Sequence, residues 1–137
     1  MLHLVAADEA DLAIISAQMQ DAVMRREDLG FDAKRRRFSL VANRFAWDAL
    51  PEKQRRRSGL HFDDVEAVQS HGFGRLEAQN VLSLLAIHFE KADGLSGSII
   101  LSFSGAASIR LRVACINSTL ADLGGVWSAA STPQHLA

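Results

Sequence analysis

Two short runs of basic residues, Lys34-Arg35-Arg36-Arg37 and Lys53 to Arg57, hold the side chains with the clearest chemical potential in this sequence. An arginine guanidinium is a planar fork of N–H donors that grips carboxylate or phosphate oxygens in pairs. Arg35, Arg36, Arg37, Arg55, Arg56 and Arg57 are accordingly the candidate anion-binding residues. Were the two runs to converge, they would offer a nucleic-acid backbone a salt-dependent site. The plainer reading is a pair of solvated loop clusters, which also discourage edge-to-edge association of sheets. A pI near 6.5 and the absence of tyrosine favour it. So does the lack of any RNP-type, KH-type or helix-turn-helix pattern, because nucleic-acid domains are usually basic overall. Nucleic acid is the less expected partner.

Cys115 is the only cysteine, which leaves no intrachain disulfide and no cysteine-based zinc site. As a nucleophile it would need a base in reach and an electropositive, partly open setting. Strand alternation instead turns it, with Ile109, Leu111 and Val113, toward a core, where free cysteines are common. His61 and Asp63 stand two apart on an expected strand and leave the same face, with His71 not far beyond. Those are metal-ligand types, but His-x-Asp is a frequent accident and no second histidine has ligand spacing to it, so no metal site is assigned. His88 is in phase with Leu82, Leu84 and Ala86 and is expected to be partly buried. There is no nucleophile elbow, phosphate loop, dinucleotide fingerprint or recommended acid–base pair. No catalytic residue and no cofactor is expected, and the chain leans away from being an enzyme.

Stepping outward from these residues, Leu2 to Ala6 reads as a strand, and Asp8 as an N-cap with Glu9 and Asp11 in the first helical turn, where the helix dipole favours acids. Leu12, Ile15, Met19, Ala22 and Val23 recur at helical spacing, so the helix ends between Asp21 and Arg25. Val23 to Phe31 and Phe38 to Ala46 form a hairpin across the charged turn Asp32 to Arg37. Trp47 to Arg57 is a polar loop containing Pro51. Leu60 to Val68 is one strand bulged at Asp63 and Asp64, or two short ones. Val81 to Phe89, Ser98 to Phe103 and Ile109 to Ile116 make a three-strand meander. Asn117, Ser118 and Thr119 are competent N-caps, so Leu120 to Leu123 is expected as a short helix stopped by Gly124-Gly125. The fold class is α+β, predominantly an antiparallel sheet of about seven or eight strands with an N-terminal helix and a short C-terminal helix. That order of elements is also the order in a pleckstrin-homology-like roll. Residues 1–127 form the single domain and 128–137 a disordered tail. About nine residues of strand separate the two basic runs, which spans about 30 Å, so two separate patches are predicted.

At 137 residues, 48% apolar and 23% charged, the chain has the size and composition of one globular domain. Net charge is −1, yet it is segregated: residues 25–57 carry eleven Lys and Arg against five acids, while 1–24 and 58–137 are net acidic. The longest apolar run, Val81 to Ile87, is far short of the roughly 20 residues needed to span a bilayer. No basic n-region precedes the acids near the N-terminus, which argues against a signal peptide, and a cytoplasmic location is expected. The stretches DLAIISAQMQDAV, RRFSLVANRFAWD, RRRSGLHFD, VLSLLAIHF and LSFSGAASIRLRVACINSTLADLG, in this order, resemble a bacterial family of short proteins classed as a domain of unknown function. The resemblance covers roughly Leu2 to Trp127. It implies a one-domain protein and brings no activity, ligand or catalytic residue with it. Bulky groups on both strand faces, Val41, Phe45 and Trp47 with Val81, Leu85 and Phe89, exceed what two short helices would cover. Uncovered apolar patches mark interaction sites. The sequence therefore points to a non-catalytic binding or assembly domain meeting a protein partner or a second copy of itself through a sheet face or edge, with anion or nucleic-acid binding as the alternative and no membrane partner.

Overall fold

The computed structural model describes residues 2–47, 50–74 and 80–128, with 125–128 described by their backbone alone. Its elements are β1 (His3–Ala6), α1 (Glu9–Met19), β2 (Val23–Arg25), β3 (Leu29–Asp32), β4 (Arg37–Phe45), β5 (Gln54–Phe62), β6 (Val65–His71), β7 (Val81–Lys91), β8 (Gly97–Phe103), β9 (Ser108–Val113) and β10 (Ser118–Ser128). Asp8 caps α1 as its sequence predicts: its carboxylate accepts from the Asp11 amide at 2.8 Å, satisfying a donor the helix cannot. The helix ends at Met19, and Asp21 then adopts a left-handed conformation at φ 65°.

All ten strands join one open sheet in the order β1-β10-β5-β4-β2-β7-β8-β9-β6, with β3 pairing β4 beside β2, and every pairing is antiparallel. β7 links the two halves. Its first residues pair with β2, and beyond a bulge between Leu84 and Ala86 it pairs with β8. One core unites the inward rows of β4 and β5 with those of β8 and β9, and α1 adds Leu12, Ile15 and Met19 to it. The sheet therefore curls around a single apolar interior. The α+β class, the Asp32–Arg37 hairpin turn and the meander β7-β8-β9 are as expected.

Several expectations are corrected. The strand from Val23 to Phe31 is broken by a 3-10 turn at Arg26–Asp28. The polar loop after Trp47 ends earlier than expected, because β5 begins at Gln54 and contains Arg55 to Arg57. Of the two forms expected for Leu60 to Val68, the two-strand one is found, parted at Asp64 with φ 58°, and β6 leaves β5 to pair with β9. The short C-terminal helix is instead β10, inserted between β1 and β5. Ser118, Leu120 and Asp122 are buried while Thr119, Ala121 and Leu123 are less so, which is the period of a strand. Gly124, at φ 94°, marks register shifts in β10 rather than a helix end. With a strand in that place, the comparison with a pleckstrin-homology-like roll loses the helix on which it rested. Of the tail expected over 128–137, Ser128 instead closes β10, and 129–137 lie outside the described residues. Among those described, no helix is long and apolar enough to cross a membrane.

Candidate functional site

β2 and β3 behave as one interrupted strand facing β4. Val23 is opposite Asn43 and Leu29 is opposite Leu40. Between those pairs β4 has only Val41 and Ala42, whereas the facing chain has Met24, Arg25, Arg26, Glu27 and Asp28. The surplus is taken up by the 3-10 turn, which the Asp28 carboxylate pins by accepting from the Arg25 amide at 2.8 Å. Such bulges open a ladder and re-aim side chains. Here the result is a cavity of about 380 Å³ on the face of the sheet away from the core, with Val23, Val41 and Val81 as its apolar part and Arg25, Asn43 and Arg57 among its polar walls.

The same alternation sorts the second arginine run. Arg55 and Arg57 leave the solvent side of β5, and Arg56 leaves the core side, in phase with Ser58 and Leu60. Arg55 donates to the Asn43 carbonyl at 3.2 Å. Arg56 reaches within 4.0 Å of the Asp122 carboxylate with its side chain only 19% exposed. Arg57 is exposed on the cavity wall, and no partner for its side chain is found among the described residues.

Beneath this face lies a polar cluster that the sequence reading missed. Arg44 is fully buried, and its Nε and Nη2 donate to the two Asp122 oxygens at 2.9 Å each. The Ser58 hydroxyl donates to Asp122 at 2.7 Å and the Leu2 amide at 2.8 Å. Burial alone would raise the Asp122 pKa, but the hydrogen bonds from Arg44, Leu2 and Ser58 and the Arg44 charge outweigh it and hold the carboxyl at about 2. The legible signal was phase: Arg44 follows Phe38, Leu40 and Ala42 on the inward row of β4.

The first run sits elsewhere. Asp32 organises its turn by accepting from the Lys34 and Arg35 amides at 3.2 and 3.3 Å, an Asx-type arrangement. Arg36 takes φ 52°, and Arg37 donates to Asp63 at 2.8 Å, a bond that with the Asp63 charge raises the Arg37 pKa. Arg37 opens β4, whereas Arg56 faces Arg44 seven residues along it, a separation of roughly 23 Å at the usual strand rise. Arg35, Arg36 and Arg37 thus stand at one end of β4 and Arg55, Arg56 and Arg57 at the other.

His61 and Asp63 do come together, Nδ1 to Oδ2 at 3.2 Å, with Asp63 shared by Arg37. His71 lies at the far end of β6, opposite Ser108, and no group of three metal-ligating side chains occurs among the described residues. His88 is exposed rather than partly buried. The β7 bulge resets the alternation, so Ile87 turns inward where the simple pattern would place His88. Cys115 is not in the core row either. β9 ends at Val113, and the thiol is half-buried in the following turn, 3.5 Å from Asp64. Burial, the hydrogen bond and the Asp64 charge all raise its pKa, which keeps it a thiol instead of a reactive thiolate.

An open, mostly antiparallel sheet with one helix near its start, carrying a bulge-made cavity on its solvent face, defines the class: an α+β sheet domain. Within that class, the chain belongs to the family described as "Protein of unknown function (DUF2948)", whose model matches residues 2–135. No curated protein matches the chain, and no solved structure does.

Proposed function

We propose that the protein is a non-catalytic binding domain that receives an extended segment of a protein partner on the solvent face of β4, β2 and β7. The observation that carries this reading is the cavity opposite Val41 and Ala42, built by a surplus of main chain rather than by a chance gap between side chains. Concave, partly apolar surfaces with a few convergent polar groups are the usual form of binding sites. Of the apolar excess read from the sequence, Val41 and Val81 line the same cavity. Phe45 is fully buried against Trp47, with ring centroids 4.6 Å apart, and Phe89 packs on the core. Val81 and Leu85 stay 63% and 42% exposed. The roughly 23 Å between the two arginine runs favours a protein partner over a nucleic-acid groove. A lone cysteine held as a thiol fits the reducing cytoplasm of a bacterium, where this reading places the domain.

A peptide-display selection against the whole protein tests the proposal. Enriched peptides should lose about tenfold or more in affinity on Val81→Asp, a change that desolvates a charge in the interface, and should be indifferent to Leu95→Asp, which is exposed outside the cavity. Failure to enrich any sequence, or equal loss from both variants, would overturn it.

A further inference from the structure

We infer that the segment taken by the β4 cavity presents a carboxylate to Arg57 and Asn43, with an aliphatic neighbour seated on Val23, Val41 and Val81. This rests on the protein-binding reading above and adds the chemistry of the bound residue.

Arg57 and Asn43 are direct cross-strand partners and both line the cavity. Side chains in that relation start about 5 Å apart on one face. Neither side chain has a partner among the described residues, so a guanidinium fork and an amide N–H2 stand side by side with donors to spare. A carboxylate, which only accepts, is the complement of that pair.

The acids in the same cavity do not neutralise Arg57. Glu27 pairs with Arg25 at 3.6 Å, and the Asp28 carboxylate is occupied by the Arg25 amide. The cavity lining carries Arg25 and Arg57 against Glu27 and Asp28, so no net positive charge is left there to meet the second charge of a dianion. That selects a carboxylate over a phosphate. The three valines beside Arg57 accommodate the side chain of an adjacent aliphatic residue, since neighbours on an extended segment lie about 3.3 Å apart along the chain.

The test uses the peptides enriched in the display selection. They should share an acidic residue at one fixed position beside an aliphatic one. Replacing that acid by its amide should weaken binding about tenfold, as expected for losing a hydrogen bond to a charged group, and the Arg57 Nε–H and Asn43 side-chain resonances should shift with the acidic peptide alone. Arg57→Gln, at an exposed position, should erase the difference between acid and amide peptides by weakening the acid peptide, with the thermal unfolding midpoint unchanged. Equal binding of acid and amide peptides, or discrimination that survives Arg57→Gln, overturns the carboxylate and leaves the binding face standing. Tighter binding of a phosphoserine peptide than of the acidic one also overturns it, in favour of phosphate. If no peptide is enriched, the binding face itself fails and the inference with it.

Discussion

Removing the Asp122 carboxylate takes from the buried Arg44 guanidinium the two bonds it donates there, and it takes an acceptor from Ser58 and from the Leu2 amide at once. Breaking one side of a buried ion pair in this way costs about 3–5 kcal/mol, and Asp122→Ala is expected to lower the urea unfolding free energy by that amount. The pH dependence has a definite sign. The folded carboxyl is held at about 2, below its ordinary value of 3.8, so its contribution is complete above the unfolded value and is lost as pH falls through the folded one. Unfolding midpoints measured from pH 6 down to pH 2 should fall in the wild type and fall less steeply in Asp122→Asn; identical slopes would remove Asp122 from the acid response. The strand phase of both residues was visible in the sequence, since Arg44 follows Ala42 and Asp122 follows Leu120 on inward rows. Their charge concealed it. A buried charge becomes legible only when its partner, 78 positions away in the chain, is known to be adjacent.

At the scale of elements, the meander and the β3-β4 hairpin were legible because their signals are local: an apolar row, a turn rich in glycine or charge, and a second row. β10 was not, because cap-forming residues and a glycine pair suit a helix end as well as a bulged strand, and the decision was made by β1 and β5 on either side. The cavity was equally hidden. Nothing in residues 24–28 announces a surplus until the register with β4 is fixed. The tightest close approach is at Gly97, where an added Cβ would meet the Glu90 carbonyl and the Phe89 ring across the β7-β8 pair. Gly97→Ala should cost about 1–3 kcal/mol of stability, as overpacking typically does. It should also speed amide exchange at Phe89 to Lys91; an unchanged unfolding midpoint would show that the strand ends slide apart freely.

For the whole molecule, strand order decides which charges add. Each end of β4 carries its own arginines, and on the first end Arg37 is held by Asp63 while Arg35 has only an exposed pairing with Asp32 at 3.7 Å, so Lys34, Arg35 and Arg36 remain open to solvent. Three phosphate contacts give a slope of about −2.7 in log affinity against log salt for a duplex, and a generic duplex is expected to bind weakly with a slope no steeper than about −3. A slope near −6 would mean that both runs engage one nucleic acid. Linear spacing along β4 made this separation readable in advance, whereas the sheet order itself was not, because it depends on pairings between distant segments. β10 shows what such pairings entail. It follows the other nine described strands in the chain, yet it lies inside the sheet, with β1 hydrogen-bonded to one flank and β5 to the other. A nascent chain that has reached Val113 can assemble the meander, but β1 has no sheet neighbour and β5 presents a raw edge to any passing strand until residues 118–128 leave the ribosome. β1 therefore takes its place only after β10 has been made.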